Sequence, residues 1–474
     1  MKCEISKRCG SCQYIHMDYA LQLQKKQEYC QKLFLQFKVH PVVGMKHPYA
    51  YRNKVIVAFN QQYEFGLYEE SSHKIVPMQT CLLHDEETHK VLSKIQSLFR
   101  KYRMSIYDER KKKGLIKHVL IRRGIMTNQT LVALVATDSV FKGSKNFCNE
   151  LVKACPSVKT IVLNVNKRQT SVVLSDVEKT LYGKGFIVDE LCGLTFKISA
   201  RSFYQINHDQ CVKLYQKVKE LLNPQKNQIV LDTYCGIGTI GMSIADSVQQ
   251  VIGVELNRDA YHDALNNAKM NHIDNIRFVN EDATEFMKHM ASLRQHVDSV
   301  IMDPPRAGST KEFIESIRIL KPQTVVYVSC DPSTQARDLK WFKDIGYLAK
   351  DVYLYDMFPH TEHVETVCLL TRKNVKSYAY VDVNTDELDI GRSKNKATYK
   401  EIMSFVEEKY GFKVSALYIA GVKDELGLEK QFSYEDNGMA AKKRPNCPKE
   451  KRDAIVDALV HFGIISAEKS STQK

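Results

Sequence analysis

No run of about 18 to 20 apolar residues occurs in the chain, and the opening Met-Lys-Cys-Glu-Ile-Ser-Lys-Arg lacks the apolar segment of a secretory leader. A transmembrane helix is thereby excluded, and a cytoplasmic location without membrane association is expected. There is no internal repeat and no extended low-complexity tract. Nor do the 13 cysteines resemble a disulfide framework, because they are scattered through 474 residues with no export signal. They read instead as thiols, metal ligands or catalytic groups. At roughly 150 residues per domain the length predicts about three domains. The composition, 43% hydrophobic and 26% charged, is that of a globular protein. Lys and Arg number 69 against 55 Asp and Glu, a net charge of +14. Such an excess suits a polyanionic partner, or serves only solubility.

Residues 1–90 hold a cysteine-rich start, a helix over Asp18–Phe34 and the first short alternating runs. The runs continue through 91–195, where Lys117–Arg123, Thr130–Ala136 and Thr160–Asn164 predict a β-rich region. Over 196–373 the pattern becomes apolar strand, glycine loop, helix, strand, which predicts an α/β doubly wound sheet. Residues 374–395 read as a linker, and 396–474 as a small helical domain.

Asp232-Thr-Tyr-Cys-Gly236-Ile-Gly238-Thr-Ile-Gly241 follows an apolar strand and opens a helix. Glycines there let a ligand approach the backbone, and Glu255, ending the next strand, can take the hydroxyls of a ribose. Both NAD and S-adenosylmethionine carry that ribose. The carboxylates Asp232, Asp282 and Asp303 suit adenosylmethionine, which has a sulfonium and an amino group but no phosphate. Each acid alone could equally be a strand-end cap.

Val325-Val-Tyr-Val-Ser329-Cys330-Asp331-Pro332 ends a further strand at the same sheet edge, with Asp331 and Pro332 suited to start a helix. The helix N-terminus should lower the Cys330 thiol pKa, the adjacent Asp331 opposing it. Alone, Cys330 could be a small buried hydrophobe. It is followed by Asp356-Met-Phe-Pro-His360-Thr-Glu362-His363-Val-Glu365. A thiolate, a carboxylate base and adenosylmethionine together fit methylation of carbon 5 of uracil, which needs nucleophilic addition at carbon 6 and later removal of a proton. Metal ligation by His360, His363 and Glu365 matches no common zinc spacing. Asp303-Pro-Pro could instead polarise an exocyclic nitrogen, a reaction that needs no cysteine. Cys3, Cys9 and Cys12, with a distant Cys81, could hold a 4Fe-4S cluster or zinc, and Cys9-x-x-Cys12 alone could be a redox pair.

Jointly, Ser202-Phe-Tyr-Gln205-Ile-Asn207, Asp232-x-Tyr234-Cys-Gly-x-Gly, Val254-Glu255, Asp303-Pro-x-Arg306-Ala-Gly308, Ser329-Cys330-x-Pro332 and Asp356-Met-Phe-Pro-His360-Thr-x-His363-Val-Glu365 resemble the TrmA/RumA-type RNA (uracil-5-)-methyltransferases over about residues 1–373, in particular their 23S rRNA branch. The resemblance implies a Rossmann-like class I methyltransferase domain, preceded by a β-rich iron–sulfur and RNA-binding region and followed by the helical appendage. It implies Cys330 as nucleophile and Glu365 as base, with Gln205, Tyr234, Glu255, Asp303 and Asp282 contacting S-adenosylmethionine alongside Asp232, Gly236 and Gly238 of the loop. It further implies that Cys3, Cys9, Cys12 and Cys81 hold a 4Fe-4S cluster, and that 23S rRNA, naked or in an assembly intermediate, is the partner of a monomeric enzyme. The small β-barrel that often precedes these cysteines is not in this sequence, so RNA affinity is expected from Arg100–Arg103, Arg110–Lys113, Lys117, Arg122 and Arg123, with Tyr102 or Tyr107 stacking on unpaired bases. Phe203 and Gln205 are expected to face the target base.

Overall fold

The computed structural model describes residues 3–70, 72–168, 170, 172–372, 399–426, 447–462 and 464–465. The chain divides into two compact units, 1–375 and 376–474. The first is built on two large sheets and a two-stranded one, Phe186–Leu191 with Leu194–Ser199. A seven-stranded sheet runs, in spatial order, through Ile75–Pro77, Phe65–Tyr68, Lys54–Phe59, Ile116–Gly124, Gln129–Ala136, Val158–Val165 and Glu178–Tyr182. Its one parallel pair, Gln129–Ala136 with Val158–Val165, is joined through the helix Ser144–Ala154. That helix and Glu86–Lys101 cover one face, where Val91, Leu92, Ile95 and Phe99 meet Val119, Ile121 and Leu163. On the other face Leu120, Leu131, Ala133 and Val162 join the core that contains Ile187, Ile198 and Leu214. Burial on both faces is why Gln129–Ala136 reads as a continuous apolar run rather than an alternation.

The second sheet has eight strands in the order Lys38–Val39, Tyr347–Tyr355, Glu365–Arg372, Thr324–Ser329, Ser299–Met302, Ile229–Thr233, Gln250–Val254 and Ile276–Val279. The five strands from Thr324–Ser329 onward are parallel, as the strand–loop–helix pattern predicts. Strand order reverses between Ile229–Thr233 and Ser299–Met302, a switch point beside which ligands of open sheets bind. Glu365–Arg372 is antiparallel to both of its neighbours.

The helix Tyr19–Leu33 and the strand Lys38–Val39 belong to this second sheet rather than to the β-rich region: Lys38 pairs with Asp351, parallel to Tyr347–Tyr355. The helix buries Gln22, Lys26 and Cys30, while Leu21 is exposed. The reason is a partner far along the chain. Lys26 Nζ donates to Asp356 Oδ1 at 2.5 Å and to the Phe358 carbonyl at 3.1 Å, and the Tyr19 hydroxyl donates to Asp356 Oδ2 at 2.6 Å.

In the second unit, Tyr399–Tyr410, Ala416–Glu425 and Lys449–His461 form three helices around Ile402, Val406, Ile419, Val422, Ile455 and Leu459. The expected linker, 374–395, lies outside the described residues. No described helix is long and apolar enough to cross a membrane.

Candidate active site

The glycine loop leaves the strand Ile229–Thr233 at the switch point. Tyr234, Gly236 and Gly238 have φ of 64°, 57° and 86°, so the loop is wound through left-handed backbone that glycine adopts without a steric cost. A Cβ on Gly236 would meet nothing within 4 Å, so its outer side is open; one on Gly241 would come within 2.8 Å of Asp232 Oδ2. Asp232 is buried and accepts from the Gly241 N–H at 2.8 Å. It therefore pins the loop from beneath. Burial first, then the charges of Asp303 and Glu255, push its pKa up to about 7 against the opposing Gly241 bond. Glu255 accepts from the N–H groups of Gly236 at 2.9 Å and Asn257 at 2.6 Å, clamping the loop's other side. Asp282 caps the helix Ala283–Ser292 through the N–H groups of Thr284 and Glu285, so its strand-end cap role is realised. The Tyr234 phenol reaches Ser309 and Thr284, and burial raises its pKa to about 12. Asp303, ending Ser299–Met302, is raised by burial to about 7.

The segment Arg201–Asn207 is held from the seven-stranded sheet. The Arg122 guanidinium donates to the carbonyls of Ala200 and Ser202, and Asn53 Nδ2 donates to the Gln205 carbonyl at 2.8 Å. Phe203, 63% exposed, stands out between these anchored neighbours. Arg122 is thus a buried structural cation and not the surface RNA contact expected of it. Arg123 is likewise buried, bonding Asp85, Asn128 and Thr130. Lys101 and Tyr102 both bind Glu150, at 2.6 Å and 2.7 Å, in a solvent-exposed cluster.

Asp331 caps the helix Pro332–Asp344 through the N–H groups of Ser333 and Thr334, with Pro332 in the first turn, as the sequence predicts. The neighbouring ladder brings in the second group: Ser329 pairs with Thr366 across antiparallel strands, so Cys330, just past one strand, stands beside Glu365, the first residue of the other. The thiol pKa is not lowered. Burial, then Glu365 and Asp303, push it up to about 11, with Arg306 opposing. The helix N-terminus is outweighed first by burial and then by two carboxyls that reach the sulfur from other strands. Glu365 is 2% exposed, and burial with the nearby Asp303 charge raises it well above the carboxylate range, Arg306 again opposing.

Arg306 is the residue whose role sequence reasoning missed. It acts on Cys330, Asp331, Glu365 and His363, and its Nη2 stands 3.3 Å from His363 Nε2. Its available signal was its place in the turn closed by Gly308 N–H on the Pro305 carbonyl, three residues after an edge carboxylate. Also missed was the anchoring of the loop before Glu365. Gln22 exchanges contacts with His360 at 3.0 Å and 3.1 Å, and the Tyr51 hydroxyl donates to the Pro359 carbonyl at 3.0 Å.

At the N-terminus, Cys3, Cys9 and Cys81 each act on the half-buried Cys12 thiol, so the four sulfurs share one neighbourhood. Arg52 stands there too, its Nε buried without a hydrogen-bond partner. Among the described residues no group of three or more His, Cys, Asp or Glu side chains is arranged to hold a single metal ion.

Residues 18–373 match the family described as tRNA (Uracil-5-)-methyltransferase. An uncharacterized RNA methyltransferase of Halalkalibacterium halodurans is 39% identical over 382 residues, covering 78% of this chain and 83% of that protein. One of Staphylococcus aureus strain MSSA476 is 38% identical over 381 residues, covering 78% and 84%. Among solved structures, Pyrococcus abyssi tRNA (uracil-54, C5)-methyltransferase in complex with S-adenosyl-L-homocysteine superposes with a TM-score of 0.65 at 27% identity, covering 77% of this chain and 87% of that one.

Proposed function

Because the chain belongs to the tRNA (uracil-5-)-methyltransferase family, and is thus an S-adenosylmethionine-dependent RNA methyltransferase, we propose that it forms 5-methyluridine in 23S rRNA through a covalent adduct of Cys330. The observation that carries the chemistry is the adjacency of Cys330 and Glu365 across one strand pair, with Asp303 and Arg306 acting on both. The open space above Gly236 and the edge carboxyls Glu255 and Asp303 fit a cofactor bearing a ribose and positive charge. Gln205, Tyr234 and Asp282 complete its contacts in this reading.

Bound adenosylmethionine supplies the methyl group that carbon 5 acquires. The Cys330 sulfur bonds to carbon 6 of the uracil, breaking the 5,6 double bond and making carbon 5 nucleophilic. After methylation Glu365 takes the carbon 5 proton, the electron pair re-forms the double bond, and the Cys330 thiolate leaves. Burial disfavours the ionised form of both the thiol and the carboxyl. Arg306, the cation that opposes both shifts, favours their ionised forms when the reaction needs them. The target base must leave its stack for its carbon 6 to be reached, and exposed Phe203 is placed to stack on it.

The buried, partnerless Nε of Arg52 beside four sulfurs fits an anionic thiolate cluster. Cys3, Cys9, Cys12 and Cys81 would hold 4Fe-4S, whose sulfur ligands are spread more widely than those of one metal ion. Its part is to staple the N-terminal segment, which joins the reaction loop through the Tyr14 N–H on the His360 carbonyl at 3.0 Å. The rRNA assignment rests on this cysteine set. The name of the Pyrococcus relative favours a second reading, the same reaction on tRNA. Labelled methyl transfer to 23S rRNA and tRNA transcripts separates the two, and Cys330→Ala should abolish transfer to either. Undiminished transfer by that variant would refute the mechanism.

A further inference from the structure

The strand Ile116–Gly124 slips register by one residue between Ile116, opposite Ala136, and His118, opposite Val135. In a regular strand Lys117 and His118 would point to opposite faces. Here both line one cavity, which is how a bulge re-aims a side chain. The cavity measures about 380 Å³, within the size range of small-ligand sites, about 300 to 1,000 Å³. Tyr107, Val172 and Val173 supply its flat and apolar walls. Lys117 Nζ stands 5.2 Å over the Tyr107 ring and donates to the Arg168 carbonyl at 2.7 Å, while the Tyr68 hydroxyl and His118 Nε2 are 2.8 Å apart. The one carboxylate in the wall, Glu109, is engaged by His73 at 3.0 Å. Asn166 Nδ2 donates to the carbonyls of Val172 and Val173, at 2.7 Å and 2.8 Å, so this amide builds the wall and is not left to read a ligand. Around the cavity, Arg110 to Lys113 and Lys167 and Arg168 are all exposed cations.

An aromatic ring with an ammonium inside, apolar walls and a cationic rim match a flat base on a phosphate chain. We propose that this cavity holds an unstacked nucleotide of the RNA substrate, at a site separate from the reaction centre; the proposal rests on the RNA-methyltransferase reading above. His118, Leu120 and Arg122 share one strand face, and Arg122 holds the Ala200 and Ser202 carbonyls that precede Phe203. Four residues of strand separate His118 from Arg122, roughly 14 Å. The cavity and the Arg201–Asn207 segment thus sit on one ladder, within reach of the same RNA strand.

The test uses the full chain with Val172→Asp, which sets a carboxylate at a 53% exposed position, and Tyr107→Ala. Substrate RNA is total RNA from cells lacking this enzyme. Each variant should raise the KM for RNA about tenfold, the order expected for one lost base stack with its charge, with kcat within about twofold and adenosylmethionine affinity unchanged. Unchanged KM in both variants overturns the proposal. So does saturable binding of free uridine 5′-monophosphate that Val172→Asp abolishes while RNA KM stays the same, which would make this a site for free nucleotides. Filter binding of the same RNA keeps the two readings apart. Weaker binding by Val172→Asp supports the cavity even if the wild type transfers no methyl group, a result that would refute only the enzymatic reading.

Discussion

Replacing Lys26 with Met removes a cation that is entirely enclosed. Both it and Asp356 have fully buried side chains, and their 2.5 Å contact joins the first helix to the loop that leads into Glu365. Methionine nearly fills the same volume, so the change isolates charge from packing. Asp356 would retain the Tyr19 hydroxyl at 2.6 Å but lose its counter-ion, and the Phe358 carbonyl would lose its donor. Leaving one charge of a buried pair unpaired costs about 3 to 5 kcal/mol. Urea unfolding followed by circular dichroism should show a loss of that size in the transition of the 1–375 unit. Asp356→Asn added to Lys26→Met should recover part of it, because the unpaired carboxylate is then gone. A loss under about 1 kcal/mol for Lys26→Met, or a double variant no more stable than the single, would refute the reasoning.

The Cys330 thiol at about 11 leaves about one thiolate in a thousand at about pH 8; its alkylation by iodoacetamide, followed on the peptide by mass spectrometry, should climb about tenfold per pH unit up to about pH 11, and a plateau near pH 9 would contradict the shift. Arg306→Met removes the one opposing cation and should slow that alkylation. Glu365→Gln should stall turnover after methylation, so that labelled RNA stays with the protein on a denaturing gel; free RNA with a normal rate would show another base at work. Anaerobically purified protein should carry about four irons per chain, lost in Cys12→Ser, and zinc without iron would overturn the cluster. Gly236→Ala meets no neighbouring atom and should cost only about 1 kcal/mol for its left-handed backbone, yet weaken adenosylmethionine binding by calorimetry.

The strands around the glycine loop were legible because each is a short apolar run set off by helical stretches, and the Asp331–Pro332 helix start because capping is local. Cys330 and Glu365 could be named from their motifs. Their shifted acidities could not, since these depend on burial and on Asp303 and Arg306 arriving from another strand end. The first helix shows the same limit. A helix over Asp18–Phe34 was legible, but not its buried face, Gln22, Lys26 and Cys30, chosen by an aspartate over three hundred residues away. Arg122 and Arg123 looked like surface charge for the same reason, their partners being absent from the local pattern.

The pairing of Ser329 with Thr366 bears on which changes this chain can tolerate. Backbone hydrogen bonds of adjacent strands, more than the length of chain between Cys330 and Glu365, set the spacing of the two groups. A slip of one residue in that ladder would turn Glu365 to the opposite face. A single deletion within Glu365–Arg372 should therefore abolish the reaction in a chain that still folds its other strands.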